Sequence, residues 1–460
     1  MKLVVFKDKF LWNKIEFSMD DLHTDDFYKF SNEISHKYYN NTYFVNELFI
    51  NFTQNFLAIE FFIKENNIQS INLTKSSPEL YYLIKEVAKK NSLNVNGNKN
   101  IDKLINIVRF YYLVFSSSIY LIYLMLKISF EKRNTETGVI AITRRKSCLN
   151  RMTKLNINTL FEDPNDINSI YKHIPKLTRV KFVVIALKES FFQLNEMKIL
   201  MTGYIGKESK YLINSFYGKR IVHTMLYKNV LNSFFKLNNY SKFYTGNNLD
   251  RFAIIEEKIA KEFNLELICI PHGLEYGFKF PKCFTGDKFF ATSEIARRYL
   301  NKLYNTTKFV FDLALLKTIY KLEKKKSDNA KIVYFTEPRE KWVNHQIINE
   351  LIPILNKDNL KLHIKLHPYD DIKDYNYEGV NIIKDFNEAI CGNICFARKS
   401  TTLIEALYNN SSASSILLNA KDKTLFFSFP SLTTEEINRA FTIDQLYNWI
   451  KIEYKKNNYE

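Results

Sequence analysis

The tightest constraint on the fold is an alternation that repeats along most of the chain. Short runs rich in β-branched and aromatic residues give way to stretches of helical periodicity, and these to another such run. Parallel strands need a long crossover between them, usually a helix, so this order marks an α/β protein with parallel sheets. Strands are expected at residues 70–73, 139–143, 179–185, 242–245, 266–271, 288–292, 331–336, 361–366, 380–383 and 415–418. Helices are expected at 79–90, 249–263, 293–303, 342–355 and 402–408. A chain of 460 residues exceeds one ordinary core and implies two or three domains. The charged stretch Lys321 to Ala330 reads as a solvated linker before a fresh strand. This gives a first Rossmann-like domain over 1–312, a linker over 313–330 and a second Rossmann-like domain over 331–460.

Lys and Arg total 66 against 49 Asp and Glu, a formal charge of +17. Such an excess favours polyanions: nucleic acid, anionic lipid or phosphorylated small molecules. No helix-turn-helix, zinc-finger or RNA-binding aromatic signature accompanies it, so nucleic acid is not expected as a partner. The cysteines, Cys148, Cys269, Cys283, Cys391 and Cys395, are odd in number and sparse. A reducing cytoplasm suits them better than a disulfide framework. The first twenty residues turn charged too early for a signal peptide. From Phe110 to Leu126 no charge occurs, with Arg109 before and Lys127, Glu131, Lys132 and Arg133 after. The run, part of an apolar helical segment near 105–130, is slightly short for a span and carries three serines. It reads as an interfacial helix or as a buried helix of the first domain.

Two clusters carry chemistry. In the second half, the strand 361–366 runs into His367-Pro368, and the proline pins the histidine at the carboxyl end. Cys395-Phe-Ala-Arg-Lys-Ser-Thr-Thr-Leu-Ile-Glu follows, read as strand, hydroxyl-rich turn and helix start. Unpaired N–H groups there, with Ser400, Thr401 and Thr402, suit a phosphate, supplemented by Arg398 and Lys399. Glu405 lies one turn in, placed to accept from a ribose; a plain Ser/Thr cap is the simpler alternative. Glu337-Pro338-Arg339-Glu340 follows the strand 331–336, and Arg339 suits a phosphate or carboxylate, or else a surface pair with Glu340. In the first half, Thr245-Gly246-Asn247-Asn248-Leu249-Asp250 and Pro271-His272-Gly273-Leu274-Glu275 close two strands of one β-α-β unit. Gly273 is expected to permit a sharp turn.

A His-Pro at a strand end followed by Ser/Thr-Thr-Leu-x-Glu-Ala resembles the donor-binding half of bacterial GT-B enzymes of surface-polysaccharide synthesis. These are the sialyltransferases, capsular Kdo transferases and teichoic-acid polymerases. The resemblance covers about the last 130 residues well and the preceding 70 moderately; the first 240 show none. It implies two Rossmann-like domains facing a central cleft, the first binding the acceptor and the second the nucleotide sugar. It implies that His367, Pro368, Ser400 and Thr401 hold a donor's nucleotide, and Pro271-His272-Gly273 is similar to a His-Gly element of the same enzymes. Glycosyl transfer needs a base if it inverts the sugar, for which Asp250, His272 and Glu275 are candidates. It also needs stabilisation of the leaving phosphate, for which His367, Arg398, Lys399 and the hydroxyls of Ser400, Thr401 and Thr402 are candidates, while Arg339, Glu337 and Glu405 complete the donor-binding set. No Asp-x-Asp stands where a nucleotide-diphosphate metal would be held, so metal-independent transfer without a cofactor is expected. Walker, Gly-x-Gly-x-x-Gly and Gly-x-Ser-x-Gly motifs are also absent from the sequence. A CMP-linked nonulosonate or Kdo is the expected donor, and a glycan or glycolipid such as lipopolysaccharide or capsule the acceptor. A CDP-polyol phosphotransferase and a UDP-sugar transferase are the alternatives. The expected location is cytoplasmic, peripheral on the inner face of an anionic membrane.

Overall fold

The computed structural model describes residues 2–6, 9–38, 41–96, 100–132, 136–322 and 329–459. Arg133 and residues 323–328 of the expected linker lie outside them. The chain forms two α/β units: Met1–His272 with Phe278–Phe289, and Gly273–Gly277 with Phe290–Glu460.

The first unit holds two sheets. One comprises β1 (Lys2–Phe6), β2 (Lys9–Trp12), β3 (Ile15–Ser18), β4 (Ser70–Thr74) and β5 (Asn94–Asn96) in the order β3-β2-β1-β4-β5. Its β1, β4 and β5 run parallel and β2 and β3 antiparallel to their neighbours. Asn13 and Lys14, with φ of 49° and 65°, make the tight turn between β2 and β3, whose twist matches a hairpin. The other sheet, entirely parallel, contains β6 (Thr137–Thr143), β7 (Thr159–Phe161), β8 (Asn239–Thr245), β9 (Glu266–Cys269) and β10 (Lys288–Phe290). Their order is β10-β9-β8-β6-β7. The order therefore reverses between β6 and β8, and such a switch point opens a crevice at the carboxyl ends of the strands.

The strand expected at 179–185 does not exist. Those residues lie inside the 29-residue helix Lys176–Tyr204. Arg-Val-Lys-Phe-Val-Val-Ile is locally strand-like, but Val183, Ala186, Ser190, Leu194 and Met197 are buried at spacings of three and four, and that longer stripe decides the outcome. The apolar segment falls in the helix Asn100–Lys127, which by length and composition alone could cross a membrane. One face packs into the unit through Phe110, Val114, Ser118, Leu121 and Met125; the opposite face is bare.

In the second unit a short strand, β11 (Phe309–Val310), accepts the Ala291 N–H. The remaining strands are β12 (Ile332–Phe335), β13 (Leu362–Lys365), β14 (Asn381–Ile382), β15 (Ile394–Ala397), β16 (Ser412–Ile416) and β17 (Ile437–Ala440). All pair in parallel in the order β14-β13-β12-β15-β16-β17. Alternate residues of β12 feed opposite faces: Val333 and Phe335 one core cluster, Ile332 and Tyr334 the other. Here the switch point separates β12 from β15. The stretch expected as a linker starts instead with a helix, Leu313–Tyr320, capped by the Asp312 carboxylate on the Leu315 N–H. It docks through stacked Tyr320 and Tyr408 and through Asn409, which donates to the Tyr320 carbonyl and accepts from the Leu322 N–H. The units accordingly part near residue 290 rather than 312.

Candidate functional site

Each unit gathers chemistry at the carboxyl edge of its parallel sheet. In the first, Thr143 and Thr245 end β6 and β8 on either side of the switch point. Gly246 follows, where a Cβ would collide with the Cys148 sulfur, so the loop can pass only without a side chain. Its carbonyl faces the Nδ1 of His272, 3.1 Å away. A carbonyl only accepts, so Nδ1 carries the proton and Nε2 keeps a lone pair. Burial, followed by Arg145 and Arg144, lowers the His272 pKa against the Gly246 carbonyl and Asp250. The imidazole is thus neutral at pH 7 with an accepting nitrogen. Gly273 adopts no positive φ and its Cβ position is open, so the sharp turn expected there is not what the glycine provides.

Asp250 is a helix cap rather than a base. One carboxylate oxygen accepts from the Phe252 and Ala253 N–H groups at 3.1 Å, and the other pairs with Arg144. Burial opposes its charge, yet Arg144 and Arg251 hold its pKa below the usual value, which suits an ion pair and not proton abstraction. Glu275 is also excluded as an accessible base. It is wholly buried in the second unit and accepts from the Thr292 N–H at 2.6 Å, the Thr292 hydroxyl at 2.9 Å and the Ser431 hydroxyl at 2.9 Å. Burial raises its pKa.

Three residues of this edge escaped the sequence reading. Arg144 ties Asp250 to the side-chain Oδ1 of Asn247 and lies over the Phe252 ring at 4.1 Å. Asn247 in turn donates to buried Glu256 at 2.7 Å, which also accepts from Thr245 and Tyr227. Burial pushes the Glu256 carboxyl up to about 8. The signal available was Glu256 itself, an acid at an apolar position of the helix Arg251–Glu262.

In the second unit, the loops after β12, β13 and β15 meet at one edge. β13 and β15 flank β12, so His367 and Ser400 leave strands two spacings apart, about 10 Å. Thr336 organises the His367 turn: its hydroxyl accepts the His367 N–H at 2.9 Å and donates to Asp370 at 2.6 Å. The Tyr369 N–H points at His367 Nδ1 at 3.2 Å, so Nδ1 accepts and the neutral ring carries its proton on Nε2. Burial lowers the His367 pKa, with Asp370 and Glu337 working the other way. Pro368 is exposed beside it.

Arg398 and Glu337 are not free for a donor. Arg398 is wholly buried and bonds Asp422 at 2.7 and 2.9 Å, Glu340 at 2.6 Å and the Arg339 carbonyl at 2.9 Å. Glu337 accepts from the Lys399 N–H at 2.7 Å and from its ammonium at 3.2 Å. With Lys399 on Asp422 and Lys421 on Glu340, three cations and three anions form a closed network across the switch point. Burial disfavours the Arg398 charge, but Asp422 and Glu337 more than offset this and hold its proton more firmly. These groups neutralise one another and position the loops. Ser400 performs the capping role: its hydroxyl accepts the Thr402 N–H at 3.3 Å and donates to the Thr402 hydroxyl at 3.0 Å. The helix Thr402–Tyr408 is only seven residues long. Glu340 pairs with Arg398 and Lys421, so the expected Arg339–Glu340 pair is not made, and among the described residues the exposed Arg339 guanidinium forms no salt bridge and the Thr401 hydroxyl no hydrogen bond. Glu405 is half-buried one turn in.

No family model and no curated protein matches the chain. Among solved structures it is similar to the UDP-GlcNAc 2-epimerase of Methanocaldococcus jannaschii, with 13% identity and a TM-score of 0.41 over 71% of this chain and 95% of that one. It is also similar to the glycosyltransferase SnogD of Streptomyces nogalater, with 9% identity and a TM-score of 0.36 over 70% and 95%. The E. coli heptosyltransferase WaaC with ADP gives 9%, 0.33, 70% and 99%.

Proposed function

We propose that the protein is a GT-B-type glycosyltransferase that moves a sugar from a nucleotide donor, CMP-linked in the first instance, onto a glycan or glycolipid acceptor. The observation that carries the reading is the second unit's carboxyl edge. There His367 presents an Nε2–H donor, Thr401 a hydroxyl and Arg339 a guanidinium, all beside a 3-2-1-4-5-6 switch point. These groups suit a departing nucleotide phosphate, whose charge grows as the bond to the sugar breaks. In an inverting reaction the acceptor oxygen forms the new bond to the sugar carbon. Its proton passes to a base, a role that His272 Nε2 at the first unit's edge has the chemistry for, and the old carbon–oxygen pair leaves with the phosphate. Arg144, Asp250 and Glu256 hold the first unit's edge in shape, and the network around Arg398 does so for the second. Five free cysteines and the +17 charge support a cytoplasmic location against an anionic membrane.

Protection from heat unfolding tests the donor half directly. CMP is expected to raise the melting temperature, and His367→Ala and Arg339→Ala to abolish the shift; at a hundred times Kd a ligand contributes about 2.7 kcal/mol. Protection by UDP alone overturns the CMP preference, and protection by no nucleotide overturns the enzyme reading. Sugar transfer without phosphate in the product separates it from a polyol phosphotransferase.

A further inference from the structure

The bare face of the helix Asn100–Lys127 is a single stripe. Leu104, Val108, Tyr112, Phe115, Ile119 and Tyr123 recur every three to four residues and are each at least 50% exposed. The stripe extends to Leu126, about 33 Å at 1.5 Å per residue. Apolar exposure on this scale exceeds the scattered single residues normal on a soluble surface. Phe191 of the helix Lys176–Tyr204 lies 6.3 Å from Tyr111 and 6.4 Å from Phe115, ring to ring, and carries the stripe onto a second helix, where Lys188 stands one turn away. Exposed Arg109 and Lys127 border the stripe. Apolar residues, interfacial tyrosines and flanking cations are what the headgroup region of an anionic bilayer accepts.

The same helix walls a cavity of about 490 Å³ at the first unit's carboxyl edge. Tyr120, Leu121 and Leu124 give its apolar side, and Arg145 and Lys219 its cationic one. Arg144, Glu162, Asp163 and His223 also line it. Arg144 is held by Asp250, and Glu162 faces His223 at 2.8 Å. That leaves Arg145 and Lys219, without ion pairs among the described residues, against the single exposed carboxylate Asp163. Arg144, part of the lining, bonds the Asn247 side chain, next in sequence to the Gly246 whose carbonyl holds His272, and this links the cavity wall to the proposed base.

We infer that the stripe lies in the surface of an anionic bilayer and that the cavity receives the anionic headgroup of a lipid from it. Resting on the glycosyltransferase reading, this makes the acceptor lipid-linked: the apolar tail stays with the membrane beside exposed Tyr120, and the head is held by Arg145 and Lys219.

Two measurements on the full chain test it. In co-sedimentation, the protein is expected to bind vesicles containing phosphatidylglycerol at least about tenfold more tightly than pure phosphatidylcholine. The double variant Ile119→Glu, Tyr123→Glu is expected to lose that binding while unfolding at the wild-type temperature, because both side chains are exposed. Equal binding to both vesicles, or an unaffected variant, overturns the bilayer contact. In heat unfolding, octyl phosphate below its micelle concentration is expected to protect the wild type and not the double variant Arg145→Gln, Lys219→Gln. Inorganic phosphate protecting equally well, or octyl phosphate protecting the variant equally, overturns the headgroup site. Neither readout depends on sugar transfer, so a chain that binds these lipids but transfers nothing refutes the functional reading alone.

Discussion

At His272 a carbonyl faces Nδ1, and at His367 an N–H does; the two rings are thereby set as acceptor and donor at their outer nitrogens. A base is useful only while unprotonated, and burial holds the His272 pKa below the ordinary value of about 6.5. Transfer is therefore expected to stay level through neutral pH and to fall only on acidification beyond the ordinary imidazole range, in a profile of kcat/KM. His272→Ala should lower turnover by about 10²–10⁴ and remove that acid limb. Glu256 makes the opposite kind of statement, about stability. Its folded pKa of about 8 lies above the free value of 4.5, so its contribution is complete below 4.5 and is lost as pH rises through 8. Melting temperatures should therefore fall between pH 5 and pH 8 by the equivalent of roughly 3 kcal/mol in the wild type, and stay nearly flat in Glu256→Gln. Arg398→Met leaves three carboxylates, Glu337, Glu340 and the fully buried Asp422, to two lysines, and should cost about 3–5 kcal/mol in denaturant unfolding. The identities of His367 and His272 were legible because proline and glycine punctuate strand ends. The engagement of Arg398, Glu337 and Asp250 was not, because their partners Asp422, Lys399 and Arg144 lie 24 to 106 positions away.

Elements whose signal is local were readable: β4, β8 and β9 and the helices at 78–90, 251–262 and 402–408 lie within a few residues of expectation. So does Ser293, whose hydroxyl accepts the Ala296 N–H. Two elements defeated local reading for one reason. The helix Lys176–Tyr204 begins with β-branched residues, and the helix Leu313–Tyr320 precedes a polylysine run; in each, a partner distant in sequence settles the matter. For the second helix that partner is Asn409, buried and bonded to both ends of the Tyr320–Leu322 segment. Asn409→Ala strands the buried Tyr320 carbonyl and the half-buried Leu322 N–H, and is expected to cost about 2–3 kcal/mol, measured by urea unfolding. Asn409→Asp, which restores only the acceptor, should recover part of that loss.

On the scale of the molecule, the first unit and the second have separate cores: one large cluster contains only residues up to Leu267, and the two others begin at Leu274 and at Ile332. Calorimetry is expected to resolve two transitions rather than one, with a nucleotide raising only that of the second unit. A single transition moved as a whole by nucleotide refutes this. The five-stranded sheet near the amino terminus was the least legible part, because its strands are short and their hairpin turns on Asn13 and Lys14 without glycine.

Gly273–Gly277 belongs to the second unit although first-unit residues precede and follow it. The polypeptide consequently changes allegiance three times, after His272, Gly277 and Phe289, and neither half is a cassette that inheritance could trade whole. A hybrid gene spliced at residue 290 would marry one parent's Glu275 to the other's Thr292 and Ser431. Recombinants should therefore survive only where both parents spell that trio compatibly.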